Sequence, residues 1–86
     1  MSRTFVPIPT ILRRKRVESE TGLSRSTIYL YVTKGLFPRP VQLGPRAVGW
    51  PSAEVAALNA ARIAGKSDAD IRSLVSKLEA ARRAGG

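Results

Sequence analysis

The chain has 86 residues, of which 15 are basic and 6 acidic, giving a net charge of +9, and it contains no histidine and no cysteine. Without these residue types it lacks the usual acid–base catalyst and thiolate ligand, so we expect no enzyme, no metal site and no cofactor. Cysteine-free composition fits a reducing compartment, and no apolar run is long enough to cross a membrane, which predicts a small cytoplasmic protein.

Positive charge is concentrated in the first part of the chain. Residues 1–50 contain nine basic and two acidic residues, whereas residues 51–86 contain six basic and four acidic ones. A generally basic protein would spread its charge evenly, so the asymmetry predicts that the first part meets a polyanion. Double-stranded DNA is the expected partner, because recognition of RNA would need more stacking side chains than the five aromatic residues available.

The chain begins with a predicted extended arm over residues 1–12, because Pro7 and Pro9 exclude a regular helix. The apolar residues of this segment either fold back onto the core or leave the arm free to follow a partner. A first helix is predicted from about Arg14 to Thr21, with Val17 facing inward and Gly22 as its stop.

A basic run lies at the start of this helix, where positive charge opposes the helix macrodipole. Phosphates would compensate for that placement, since the first helix of a helix-turn-helix crosses the DNA backbone. The alternative is a solvated surface run. The phosphate-contact candidates in this run are Arg13, Arg14, Lys15 and Arg16.

A second, short helix follows a turn, with Ser24 as its cap and Gly35 as its stop, which is the pattern of a helix-turn-helix. Ile28, Tyr31 and Val32 recur at helical spacing and predict an inward face. The remaining residues are the DNA-contact candidates of a recognition helix: Arg25, Ser26, Tyr29, Leu30 and Thr33 beside the bases, and Thr27 and Lys34 beside phosphates. For Tyr29 the ring can belong to the core and only the hydroxyl to the interface.

Two short strand-like runs, from Val41 to Leu43 and from Ala47 to Trp50, flank a Gly-Pro-Arg turn and predict a hairpin. Beside a recognition helix such a hairpin is a wing, with Arg46 at or near its tip as a DNA contact; the alternative is an exposed turn residue without a partner. Arg39, in the preceding proline-rich linker, is a further phosphate candidate. Trp50 is predicted to fill the core under the hairpin.

A third helix is predicted from Ala53 to about Ala64, with Ser52 as its cap. Ser67 opens a fourth, whose apolar stripe packs on the core or mediates subunit contacts. The predicted class is therefore mainly α with a small β-hairpin, a winged helix-turn-helix of about four helices and a two-stranded wing. Its predicted divisions are a DNA-binding domain over residues 13–65, a C-terminal helix over 66–83 and a frayed tail over 84–86.

Several separate segments resemble the AlpA family in the right order. They run from Leu12 to Val17, Thr21 to Tyr29, Gly35 to Gly44, Arg46 to Trp50 and Ser52 to Val55, so that the resemblance covers about residues 11–64. The family consists of small phage and integrative-element proteins with a winged helix-turn-helix similar to those of MerR and the excisionases. The resemblance implies DNA contacts at Arg25, Ser26, Thr27 and Arg46, although Leu30 stands where the family often has a basic residue.

The resemblance also implies one of two activities on bacterial DNA. One is that of an excisionase, or recombination directionality factor, which bends attachment-site DNA so that an integrase excises the element. The other is transcription regulation of an integrase gene or another mobile-element gene. The expected partners are double-stranded DNA, an integrase and further copies of the protein on DNA, with no membrane and no small-molecule ligand.

Overall fold

The computed structural model describes residues 10–84, so most of the predicted arm, up to Pro9, and the terminal Gly85 and Gly86 lie outside the described residues. The described chain contains four helices and a small antiparallel sheet, which confirms the predicted winged helix-turn-helix class. Its elements are β1 (Ile11–Arg13), α1 (Arg14–Thr21), α2 (Arg25–Thr33), β2 (Val41–Gly44), β3 (Ala47–Pro51), α3 (Ser52–Ile63) and α4 (Asp68–Ala84).

The sheet has one strand more than the two-stranded wing that was predicted. β3 lies in the middle, with β2 on one side and β1 on the other, and Leu12 is paired with Trp50. Gly49 permits this pairing, because a Cβ atom at that position would lie 2.5 Å from the Cγ2 atom of Ile11. β1 has three residues and no turn signal beside it, and its partner strand is distant in the sequence. No local sequence pattern therefore predicts β1.

The helix boundaries follow local backbone signals. α1 and α2 are followed by Gly22 and Gly35, which adopt the left-handed φ values of 75° and 73°. The prediction that Ser52 caps α3 is wrong: Pro51 occupies that position, and the Ser52 backbone N–H donates to the Thr10 carbonyl at 2.7 Å. The prediction for Ser67 is confirmed, since its hydroxyl accepts from the Asp70 N–H at 3.2 Å.

Trp50 lies at the centre of a single hydrophobic core and is fully buried, as predicted. Its indole Nε1–H donates to the Pro38 carbonyl at 2.7 Å, so the ring is buried without losing a hydrogen bond. Every helix contributes to this core, and α4 adds Ile71 and Val75 to it. The buried apolar residues are Val17, Ile28, Leu36, Phe37, Trp50, Val55, Leu58, Ile71 and Val75.

An ion pair fastens the far end of α4 to the start of α3. Arg82 donates from Nε and Nη2 to the two carboxylate oxygens of Glu54, at 2.8 and 2.6 Å, and Glu54 is buried. Hydrogen bonding to Glu54 raises the pKa of Arg82 above its ordinary value. Arg82 also donates to the Arg39 carbonyl at 2.8 Å, so the linker between α2 and β2 is tied to α4 as well.

Candidate nucleic-acid interface

α2 presents one buried face and one exposed face. Its first turn is capped by the Ser24 hydroxyl, which accepts the Thr27 backbone N–H at 3.2 Å. Ile28 is fully buried, with Tyr31 and Val32 packed against the same core. The exposed candidates on the opposite side are Arg25, Ser26, Tyr29, Leu30 and Thr33.

Tyr29 lies at the edge between these two faces. The residue is 37% exposed, and its ring meets the buried ring of Trp50 edge-on, with 6.1 Å between the ring centroids. The tyrosine is thus held against the core through its ring while part of the residue remains exposed.

Arg25 and Tyr29 form one wall of an open concavity of about 450 Å³, which we call the basic groove. Its other walls come from the junction of β1 and α1 and from the wing. The basic groove is lined by Arg13, Arg14, Lys15, Arg25, Tyr29, Arg46 and Val48. Three segments that are distant in sequence thus place five cationic side chains around one surface depression.

None of the described acidic residues lines the basic groove, which leaves its lining positive. In the described chain the glutamates pair with arginines: Glu18 with Arg14, Glu20 with Arg16, Glu54 with Arg82 and Glu79 with Arg39. The two aspartates lie in the first turn of α4. Arg14 is the one groove cation with a carboxylate partner, so Arg13, Lys15, Arg25 and Arg46 keep their charge uncompensated within residues 10–84.

The start of α1 adds to the positive electrostatic potential of the basic groove. Arg13 is the N-cap residue and makes no side-chain capping hydrogen bond, and the first turn of α1 contains no acidic residue. The first backbone N–H groups of a helix lack intrahelical partners and attract anions, and here Arg13, Arg14 and Lys15 stand at that helix start. The whole edge of the basic groove is therefore complementary to a negatively charged ligand.

Comparison with known proteins places the chain in a family. Residues 10–62 match the family model described as prophage CP4-57 regulatory protein (AlpA). The chain belongs to the AlpA family. The chain is also 47% identical over 67 residues to the uncharacterized protein ORF88 of Enterobacteria phage P4, covering 72% of this chain and 76% of that protein. No solved structure matches.

Membership of the AlpA family makes this protein a phage-related, DNA-binding regulatory protein. The family match spans β1 to α3 and so includes every residue of the basic groove, while α4 follows it. In the described part of the chain no helix is both long and apolar enough to cross a membrane.

Two of the predicted phosphate contacts of this AlpA protein are not part of the basic groove. Arg16 pairs with Glu20 at 2.9 Å and lies beside α3. Arg39 lies against α4, where its backbone N–H donates to Glu79 at 2.8 Å. Both side chains are exposed, but the structure does not bring them to the site formed by the other basic residues.

The polar residues along α2 are partly occupied by the helix itself. The Thr27 hydroxyl accepts from Ser24 at 2.9 Å, and the Thr33 hydroxyl donates to the Leu30 carbonyl at 2.6 Å. Ser26 and Leu30 are exposed, and Lys34 is the C-cap residue. Arg25 is therefore the one charged side chain on the exposed face of α2.

One residue near α2 in this AlpA protein was not a candidate from the sequence. Arg72, on α4, donates from Nε to the carbonyl of Lys34 at 2.9 Å and so lies at the C-terminal end of α2. The sequence carries no signal for this contact. The apolar stripe of α4 predicts which face of the helix is buried, but not which residues contact the end of α2.

Proposed function

We propose that the protein binds duplex DNA with α2 in the major groove and the β2–β3 turn on the adjacent backbone or minor groove. The observation that supports this best is the basic groove, which joins the start of α1, Arg25 and Arg46 on one surface. Phosphates on one side of a major groove would meet the α1 start, while Arg25 reaches base edges.

RNA is a poorer fit to the same surface. Recognition of single-stranded RNA uses exposed aromatic rings as stacking platforms. Trp50 and Phe37 are buried in the core, and Tyr31 has the guanidinium of Arg62 over its ring, 5.1 Å from the centroid. A competition experiment with duplex RNA and single-stranded RNA tests this preference directly.

We further propose that the protein acts as an excisionase, a recombination directionality factor that bends attachment-site DNA for a partner integrase at the cytoplasmic nucleoid. The base-reading surface is narrow, since Arg25 alone supplies a charged side chain on the exposed face of α2. Most of the binding free energy then comes from phosphates, which suits a protein that bends DNA at a cost of about 1–6 kcal/mol.

The test is an excision reaction in vitro with the integrase of the same element and supercoiled DNA carrying both attachment sites. We expect excision only when the protein is added, with the integration reaction unchanged or inhibited. Arg46→Ala should lower the stimulation, whereas Lys66→Ala, a substitution in the exposed loop between α3 and α4, should leave it intact. Excision that is independent of the protein would contradict this proposal.

Transcription regulation is the second candidate, favoured by the description of the family as a regulatory protein. It predicts a changed output from a reporter fused to the promoter of the integrase gene or of another mobile-element gene. Reporter repression or activation without any effect on excision would assign the protein to this activity, and an effect in both assays would assign both.

DNA binding itself has a separate test in the salt dependence of affinity. Three to five phosphate contacts from the basic groove predict a slope of about −2.7 to −4.5 in a plot of log affinity against log salt concentration. A slope near zero for the wild-type protein on duplex DNA would reject the phosphate-binding surface altogether.

A further inference from the structure

A second basic cluster lies at the opposite end of α2 from the wing. Arg72 lines an open concavity of about 320 Å³ together with Thr33, Gly35 and Arg39. Lys34, the C-cap residue of α2, is exposed beside it. The cluster thus combines the end of the recognition helix with a side chain from α4, which follows the segment matched by the AlpA family model.

The Arg72 guanidinium is oriented by one hydrogen bond and is otherwise available. Its Nε–H donates to the Lys34 carbonyl at 2.9 Å, and its side chain is exposed. A guanidinium carries five N–H donors in a planar fork, so the two terminal nitrogens remain free for a further acceptor. The hydrogen bond fixes the direction in which this fork points.

The charge of Arg72 is not cancelled by a neighbouring carboxylate. Glu79 lines the same concavity, but it accepts from the Arg39 backbone N–H at 2.8 Å and pairs with the Arg39 guanidinium at 3.5 Å. Within residues 10–84 no acidic group is paired with Arg72 or Lys34. The cluster therefore keeps a net positive charge beside the C-terminal end of α2.

The length of α2 is close to the width of the DNA major groove. α2 has nine residues, and a helix of that length spans about 13 Å, close to the roughly 12 Å width of the major groove. With α2 in the groove, the basic groove meets one flanking backbone, and the cluster at the opposite end of the helix meets the other.

We propose that Arg72 and Lys34 form a second phosphate-binding contact, by which α4 extends the DNA interface beyond the basic groove. This inference rests on the proposed placement of α2 in the major groove. The ligand is a backbone phosphate of duplex DNA, held in bidentate fashion by the free terminal nitrogens of Arg72.

The test separates the charge of Arg72 from its hydrogen bond to α2. In Arg72→Gln the side-chain amide nitrogen takes the position of Nε and can still donate to the Lys34 carbonyl, but the charged fork is removed. We expect the melting temperature to stay within about 2 °C and the salt slope for duplex binding to fall in magnitude by about 0.9.

Lys77→Gln is the matched control, because Lys77 is also exposed on α4 and its loss changes the net charge equally. Its slope should equal that of the wild type. An Arg72→Gln slope equal to the wild-type slope, or an equal reduction for both variants, would overturn the inference while leaving duplex binding by the wild type intact.

Arg72→Lys covers the case in which Arg72→Gln lowers stability. Lysine keeps the positive charge but lacks the Nε donor. A phosphate contact therefore predicts a salt slope close to that of the wild type. If the salt slope of duplex binding and the melting temperature fall together in both variants, the role of Arg72 is only to hold the C-terminal end of α2. Failure of the wild-type protein to bind duplex DNA would reject the proposed function itself.

Discussion

Arg25 combines exposure with a fixed position at the first turn of α2, beside Tyr29 and the basic groove. With α2 in the major groove as proposed, Arg25 would reach base edges, whereas Thr27 and Thr33 use their hydroxyls in hydrogen bonds to Ser24 and to the helix backbone. Sequence discrimination by this protein is therefore expected to depend on Arg25 more than on any other residue of α2.

Replacement of Arg25 by alanine should reduce discrimination between a selected site and a random duplex by about 1–3 kcal/mol, the value of a bidentate arginine–guanine contact. The measurement is a pair of titrations, with a site selected from a random pool and with a scrambled duplex. Arg83→Ala, which removes an exposed arginine from the end of α4, is the control. Equal losses on both duplexes would make Arg25 a phosphate contact.

Arg46 occupies the two-residue turn between β2 and β3, as predicted from the Gly-Pro-Arg sequence. Arg46→Ala should weaken binding most when A·T-rich sequence flanks the site, because a narrow minor groove concentrates negative potential. Affinities for duplexes with A·T-rich and G·C-rich flanks measure the difference, with Lys66→Ala as a loop control. The same loss of affinity for both duplexes would indicate that Arg46 contacts the DNA backbone and not the minor groove.

At the scale of elements, the sheet depends on the close approach of β1 to β3 at Gly49. A Cβ atom at Gly49 would lie 2.9 Å from the Leu12 carbonyl oxygen and would also meet Ile11, whereas at Gly44 the nearest atom is 3.9 Å away. β1 carries Arg13 at its end, so separation of β1 from β3 would also displace one wall of the basic groove.

Gly49→Ala is expected to lower the free energy of unfolding by about 1–3 kcal/mol, the usual cost of overpacking. Gly44→Ala, with φ outside the left-handed region and open space for a methyl group, should change it little. Urea denaturation of both variants measures the difference. Similar stabilities for the two variants would show that β1 can leave β3 at no cost.

α4 is held to α3 by the pair between Arg82 and the buried Glu54. Arg82→Ala leaves that carboxylate without its partner and should lower the free energy of unfolding by about 2–3 kcal/mol. Arg83→Ala, one residue further along the helix and exposed, should have almost no effect. A small, equal effect of both substitutions in urea denaturation would contradict a stabilising role for the pair.

The elements that could be predicted from the sequence are those with local signals. Gly22, Ser24 and Gly35 bound α2 by backbone chemistry that needs no tertiary contact, and the inward spacing of Ile28 fixes its orientation. β1 and the contact of Arg72 with α2 had no such signal, since both depend on groups about 38 residues away in the chain. The basic groove was predicted as separate pieces, and the structure brings most of them together.

At the scale of the whole molecule, the unpaired cations of the basic groove are separate from most of the arginines that form ion pairs in the described chain. Four arginines pair with the four glutamates of the described chain, and Arg14 alone among these also lines the basic groove. The uneven charge in the sequence was the evidence for this arrangement. What it could not predict was the pairing of Arg16 and Arg39 with carboxylates away from the groove.

The uncapped start of α1 has an effect on the protein before any DNA is bound. Arg13 and Lys15, which have no carboxylate partner in the described chain, stand beside Arg14 at the positive end of a helix with no acid in its first turn. The unliganded fold therefore carries electrostatic repulsion at this point. Raising the salt concentration should therefore increase the melting temperature of the free protein by about 2–8 °C, while the same salt weakens its hold on DNA. Thermal melts over a sodium chloride series measure the first effect, and a melting temperature that falls with salt would contradict it. The surface that we propose to bind DNA would thus carry unfavourable electrostatic energy in the absence of DNA.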